Sequence, residues 1–357
     1  MELQEARDQI RAVDEEMREL FIRRMEAVKE VALWKQERGL PIEDKEQEAS
    51  VLDALVPGVE DETLRSFYLR FLQDTMEVSK QYQHRLMEGT RVAYCGVEGA
   101  FAHIAAKRVF PDGTPVPYPS FEAAYKAVED GECDAAVLPI ENSIAGEVGQ
   151  VLDLMFSRDL HVNGVYDMPI NQHLLGLPGS KVEDIRTVVS HPQALSQCDA
   201  YVKEHGFQTK SLPNTAMAAK EVAEGGDASV GAIASAETAE LYGLEVLDHD
   251  INENRENTTR FAVFSRVEAP SEGKWDSGAF LLLFTVKDEA GGLAKALNYL
   301  SMYNFNMRVI RSRPMKDLPW NYYFYAEVEG NDSSDSGQKM LKMLKGACPM
   351  VKVAGHV

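Results

Sequence analysis

Cysteine is scarce in this sequence: Cys95, Cys133, Cys198 and Cys348 are the only four in 357 residues. They are scattered, with no Cys-x-x-Cys pair and no metal-ligand spacing, which excludes a disulfide framework and a cysteine zinc site. We read them as reduced thiols and expect a cytoplasmic protein with no metal and no cofactor. Positive charge is also short. Lys and Arg total 37 against 57 for Asp and Glu, a formal net charge of −20, which argues against nucleic acid and anionic membrane as partners. An anionic substrate must therefore find its cations gathered locally. No apolar run reaches membrane length, and the sequence opens on a charged amphipathic helix, so neither a membrane span nor a signal peptide is expected. What is present, 45% hydrophobic and 26% charged residues, is an ordinary globular balance spread over two or three domains.

The stretch Asn257-Thr258-Thr259-Arg260-Phe261 carries the first chemical signal. It follows a polar run from Asp248 to Glu256 and leads into Phe261-Ala262-Val263-Phe264-Ser265, which reads as a short buried strand. A polar loop thus brings two hydroxyls and a guanidinium to the mouth of a strand, where open α/β sheets place ligand groups. A hydroxyl beside a fixed cation suits binding a carboxylate while donating a proton to a nearby oxygen. A loop capped by its own threonines has the same composition, so the rest of the chain decides.

Up to about Glu88 the sequence reads as helices. Leu3, Ala6, Ile10, Val13, Met17, Leu20, Val28 and Val31 recur at helical steps, with no Gly or Pro before Gly39 and Pro41. Such a helix, about 54 Å long, outruns any core one copy of the segment can build, so a partner chain is expected. Arg24 and Lys35 fall on the apolar stripe, and Arg7 at its edge. A second helix aligns Glu48, with Asp44 before it, to Val51, Leu52 and Leu55. A third places Ser79 and Gln83 on or beside the face of Leu64, Tyr68, Phe71 and Tyr82. Buried cations need anionic partners: glutamates across a dimer, or a bound dianion.

Arg7, Arg24, Lys35, Asp44, Glu48, Ser79 and Gln83 at these spacings make the segment resemble the all-helical chorismate mutase domain. The resemblance implies that Arg7 of a partner chain and Arg24 hold the two carboxylates of chorismate. Lys35 and Gln83 would flank the ether oxygen as catalytic donors, Glu48 and the Asp44 backbone would hold the ring hydroxyl, and Ser79 would help seat the substrate. One position departs: Gln47 stands where the family usually has an Arg.

From Arg91 to about Val267 strands and helices alternate, which predicts parallel sheets with helical crossovers in two lobes around a cleft. Polar clusters recur just after strands: Gly96-x-x-Gly99, Pro139 to Ser143, Ser190 to Gln193 and Asn214-Thr215. Each alone reads as a helix cap; together with Thr259-Arg260 they point to a shared cleft. This segment resembles prephenate dehydratase, with Thr259-Arg260-Phe261 the most distinctive match. By that resemblance Thr259 is the catalytic hydroxyl and Arg260 supports a carboxylate. Glu141, Asn142, Ser143, Ser190, Gln193, Thr215 and Phe261 complete the prephenate site. Ala100 and Ala102 depart from the family's small hydroxyl residues.

From Gly278 onward the order reads βαββαβ, the ferredoxin-like pattern. The segment resembles the ACT regulatory domain. Gly291-Gly292-Leu293-Ala294 and Arg311-Ser312-Arg313-Pro314 match the two phenylalanine-binding motifs of the dehydratase family, with Arg311 where a Glu is usual. The expected architecture is therefore multidomain: an all-α mutase domain over residues 1–88, a two-lobed α/β dehydratase domain over 91–268, and an α+β ACT domain over 278–357. The expected ligands are chorismate, prephenate and L-phenylalanine as effector, on a homodimer or higher homo-oligomer. The rivals are a dehydratase whose helices only dimerise, favoured by Gln47, and a non-catalytic amino-acid sensor.

Overall fold

The computed structural model describes residues 3–254, 256–268, 278–315, 318 and 320–357; Met1 and Glu2 of the expected first domain and Arg255 of the polar run lie outside them. The chain divides into two compact units, Met1–Arg91 and Val92–Val357.

The first unit is three helices: α1 (Leu3–Arg38), α2 (Lys45–Leu55) and α3 (Glu62–Glu88). Nothing in α1 breaks the backbone pattern until Gly39, which takes φ +62°. Asp44 and Asp61 cap α2 and α3, accepting from the Gln47 and Leu64 amides at 3.0 and 2.8 Å, each cap contributing about 1 kcal/mol. The expected apolar stripe of α1 is not covered within this chain. Ala32 is its one buried residue among those described, while Leu3, Ile10, Val13, Met17 and Leu20 are exposed.

The second unit opens with β1 (Arg91–Cys95), α4 (Phe101–Val109), β2 (Thr114–Tyr118), α5 (Phe121–Glu129), β3 (Ala135–Asn142), β4 (Gly146–Glu147), α6 (Gly149–Ser157) and β5 (His161–Pro169). A second lobe follows: β6 (His173–Gly176), β7 (Thr187–Ser190), α7 (Pro192–Gln197), α8 (Asp199–Glu204), β8 (Gln208–Ser211), α9 (Thr215–Gly225), β9 (Val230–Ala234), α10 (Ala236–Tyr242) and β10 (Glu245–Asp248). The chain then returns to the first lobe as β11 (Thr258–Ser265) and ends with β12 (Ala279–Thr285), α11 (Gly292–Met302), β13 (Met307–Pro314), β14 (Tyr322–Glu329), α12 (Asp335–Ala347) and β15 (Val351–His356).

The sheets are mixed rather than parallel throughout. β1 runs parallel to β3, and β7 parallel to β8 and β9, but β11 lies antiparallel to both β3 and β5. The second lobe has the order β10-β6-β9-β7-β8. The first lobe and the C-terminal βαββαβ module share one sheet, β13-β14-β12-β15-β5-β11-β3-β1-β2. The join is at Gly355, paired with Val162. Gly355 has φ +151°, and a Cβ there would collide with the Val162 carbonyl, so only glycine permits the approach. One core spans the first lobe and the C-terminal module: in it Leu138, Leu152, Ala262 and Phe264 join Leu281, Leu283, Tyr323 and Tyr325. Phe264 is fully buried against Tyr125 at 5.3 Å between ring centroids; truncating it to Ala would cost about 3–5 kcal/mol.

Candidate active sites

In the helical unit the period of 3.6 gathers polar side chains from three helices onto one cavity of about 190 Å³, lined by Arg24, Lys35, Asp44, Gln47, Glu48, Ser79, Lys80 and Gln83 among apolar Val28, Val31, Val51 and Met76. Ser79 and Gln83 are buried. Arg24 donates to Ser79 Oγ and, at 3.5 Å, to the Thr75 carbonyl. Lys35 Nζ donates to the Ile42 carbonyl at 2.5 Å. The Asp44 carboxylate is occupied by the α2 cap, and its carbonyl accepts from the Glu48 amide at 2.9 Å. Gln83 Nε2 reaches the Ser79 carbonyl at 3.4 Å and leaves Oε1 without a partner, so a half-turn of the amide can offer either a donor or an acceptor. Arg7 stands apart: it is exposed and lies about 25 Å along α1 from Arg24.

The second cavity, about 420 Å³, lies between the two α/β lobes. Asn142, Gln193, Thr215, Thr259 and Phe261 all line it. The stretch 258–260 proves to be strand rather than loop, and so does Pro139 to Asn142. Direction alternates residue by residue along β11, while a bulge in β3 opposite Arg260 and Phe261 lets both Pro139 and Asn142 line the cavity. Thr259 and Phe261 face the cavity, whereas Thr258 Oγ1 turns to the Glu256 carbonyl at 3.4 Å. Asn142 Nδ2 donates to Thr259 Oγ1 at 3.0 Å and to Asn257 Oδ1 at 2.8 Å. The Ile144 and Ala145 amides both donate to Asn142 Oδ1, which fixes which end of the amide meets Thr259. The threonine oxygen therefore accepts, and its own proton is free for the cavity.

Four expected prephenate contacts point elsewhere. Arg260 does not face the cavity: its guanidinium pairs with Glu327 at 2.8 Å, Asp167 at 3.4 Å and Glu141 at 3.6 Å. Burial opposes that charge, but the bond to Glu327 outweighs it and raises the Arg260 pKa. Glu141 pairs with Arg311 at 2.6 Å. Ser143 Oγ braces the start of β11 by accepting from the Thr258 amide at 3.0 Å. Ser190 is fully buried and donates to the Ile233 carbonyl at 2.6 Å, tying β7 to β9. In their place the cavity presents Gln172, His191, Gln197, Asn214 and Glu147. Gln172 is 2% exposed and its Oε1 has no partner. No periodicity marks it, because it sits in the short crossing between lobes.

A third cavity, about 570 Å³, belongs to the C-terminal module and is lined by Gly291, Gly292, Leu293, Ala294 and Ser312, with Trp320, Tyr322 and Phe324. Ser312 faces it, but Arg311 and Arg313 point the opposite way, as strand neighbours must. Arg313 pairs with Glu147 at 2.7 Å and Asp153 at 3.0 Å in the space Gly149 leaves free. Pro314 borders a different hollow, beside Phe156 and Tyr323. Among the described residues no His, Cys, Asp and Glu cluster suits a metal ion, and no helix is long and apolar enough to cross a membrane.

A cavity of about 190 Å³ walled by helices and a cleft between α/β lobes lined by Thr215 and Thr259, each with preset donors, are the marks of an enzyme with two separate active sites on one chain. Comparison with known proteins gives the family. Residues 6–84 match the model of chorismate mutase type II, and residues 92–269 that of prephenate dehydratase. A bifunctional chorismate mutase/prephenate dehydratase of Aquifex aeolicus is 31% identical over 99% of this chain and 97% of its own length. An arogenate dehydratase/prephenate dehydratase of Arabidopsis thaliana is 35% identical over 74% of this chain and 71% of its own. A solved prephenate dehydratase from Arthrobacter aurescens, in complex with L-Phe, is 28% identical, covers 74% of this chain and 89% of that one, and superposes with a TM-score of 0.68. The chain belongs to the bifunctional chorismate mutase/prephenate dehydratase family. It is an enzyme of two activities, an isomerase and a lyase.

Proposed function

We propose that the helical unit rearranges chorismate to prephenate, and that the two-lobed unit converts prephenate to phenylpyruvate under feedback from L-phenylalanine. The observation that carries the second activity is the Asn142–Thr259 hydrogen bond, 3.0 Å, on the wall of the interlobe cavity. It leaves the Thr259 proton directed at whatever the cavity holds. The C–C bond to the departing carboxylate supplies electrons to the ring as the C–O bond breaks, so aromatisation drives the step. The enzyme need only hold the ring and donate to the leaving oxygen, and a hydroxyl made more acidic by the bond it accepts suffices. The first activity needs no nucleophile or base. Arg24 helps hold the folded conformer by a carboxylate, and Lys35 and Gln83 face the oxygen on which charge develops.

The domains that carry these roles are residues 1–88, 91–268 and 278–357, the last an ACT-type module whose Gly291–Ala294 and Ser312 cavity takes the effector. A homodimer, or a higher assembly built on it, accounts for the uncovered apolar stripe of α1. It also gives Arg7 a site to serve, in the other copy. Free cysteines throughout fit a cytoplasmic place.

The test is turnover of chorismate and of prephenate, each with and without L-phenylalanine, with phenylpyruvate read by its absorbance in alkali. Both substrates should be consumed, and L-phenylalanine should slow the second. Prephenate turnover without chorismate turnover would leave the helices a dimerisation module only.

A further inference from the structure

Lys80 lines the helical cavity beside Arg24, Lys35, Gln47 and Glu48. Its side chain is mostly covered, at 23% exposed, and Nζ lies 3.0 Å from Glu77 Oε2 and 3.5 Å from Glu48 Oε2. Neither pairing is a closed one. Glu77 stands one turn back on α3 and is half exposed, and such pairs contribute little to stability. The Glu48 contact is at the outer limit of a hydrogen bond. The ammonium is thus held at the cavity by partners that a desolvated carboxylate outcompetes. Burial works against its charge, but Glu77 and Glu48 more than offset this and raise the pKa, so the cation persists.

The charges on the walls show what Lys80 adds. Arg24 and Lys35 stand on α1, and both bond to neutral oxygens. The α2 wall offers the carboxylates of Asp44 and Glu48 and, between them, only the neutral amide of Gln47. A dianion laid against α2 meets repulsion there unless a cation reaches over from α3. Nζ already rests on Glu48, the residue after Gln47, so the reach exists.

We propose that Lys80 is a substrate-binding residue of the mutase: its ammonium takes a carboxylate of the bound dianion at the place where α2 presents Gln47. The inference rests on the reading that this cavity turns over chorismate.

The test uses the full chain and four proteins: wild type, Lys80→Met, Gln47→Arg and the double variant. Lys80→Met should lower kcat/KM for chorismate about 10- to 100-fold, the scale of a lost charge-assisted bond, mainly through KM. Prephenate turnover by the same protein should hold. Gln47→Arg should restore most of the loss in the double variant, because a cation is supplied from the opposite wall. A lysine that merely braces α3 would not be rescued from α2. Wild-type kcat/KM for chorismate in a folded Lys80→Met protein overturns the proposal, and so does a loss that Gln47→Arg leaves unrepaired. Wild type inactive on chorismate removes the underlying reading instead, an outcome distinct from an active wild type with an equally active Lys80→Met.

Discussion

In the helical unit, residues three, four and seven apart share a fate: Arg24, Val28, Val31 and Lys35 of one helix all look into one cavity. In the two-lobed unit, residues next to each other part company. Asn142 and Thr259 face the interlobe cavity, while Glu141 and Arg260 back onto the C-terminal module and pair with Arg311 and Glu327. A helix thus concentrates one function on a stripe, and a strand divides two functions between its faces. The units also differ in closure. The α/β unit buries its own core, whereas α1 leaves a long apolar face uncovered.

Separating the activities tests this contrast most sharply. Arg24→Ala removes a cation from the helical cavity and, on the proposed reading, should cost chorismate turnover on the order of 2–5 kcal/mol. Prephenate dehydration, assayed on the same sample, should survive; equal damage to both would mean that Arg24 acts structurally. The next effect tests alternation on β11. Thr259→Ala should lower kcat for prephenate about 10²-fold or more, Thr259→Ser much less, and Thr258→Ala hardly at all. A crippled Thr258→Ala beside an active Thr259→Ala would reverse the strand's assigned faces.

Arg260 gives a smaller, different effect. Glu327 is 4% exposed on its side chain, and removing its partner leaves a buried charge dependent on Arg308 at 3.6 Å. Arg260→Met should therefore lower Tm, with a stability loss of about 1–3 kcal/mol, and alter the response to L-phenylalanine while KM for prephenate changes little. Arg260→Met with Glu327→Met should be milder than the first change alone. A large rise in KM would place the guanidinium on the substrate after all.

The smallest effect is on the pH axis. Burial lowers the pKa of His103 and of His173 below the ordinary 6.5. His103 Nδ1 accepts from the Gly99 amide, and His173 Nδ1 from the Asp250 amide. The unfolded chain therefore binds protons that the folded one resists. This contribution is complete above about pH 6.5 and fades as pH falls through the depressed folded values. Calorimetric melts should show a shallow loss of stability toward acid, flatter in His103→Gln.

Long periodic segments were legible from sequence alone. α1, α5 and α11 fall where apolar spacing puts them, because each has a single dominant face and clear stops. β8 was not legible: all four of its residues are exposed, so no alternation marks it. From sequence, Gln193 to Glu204 reads as one helix, yet the structure breaks it at Cys198 into two short ones. Parallel sheets were expected throughout because strands alternate with helices, yet β11 returns antiparallel, a pairing set by contacts far apart in sequence. Arg260 shows the limit most clearly. Read as part of a loop, Thr259 and Arg260 serve one site together. Once β11 extends back to Thr258, a two-residue period separates them, and only the pairing with β3 and β5 settles where the strand begins.

The single rung at Gly355 and Val162 also has a mechanical meaning. Every other boundary between neighbouring strands of the long sheet, from β13 to β11, is a ladder of several residue pairs; this one is a crease. Bending a sheet costs least where fewest rungs must tilt. The C-terminal module therefore meets the first lobe through one backbone rung, the shared core and the Arg260–Glu327 and Arg311–Glu141 pairs, so side chains rather than a ladder fix its seat. A change in that seat reaches β11, the strand that carries Thr259, through the Arg260–Glu327 pair.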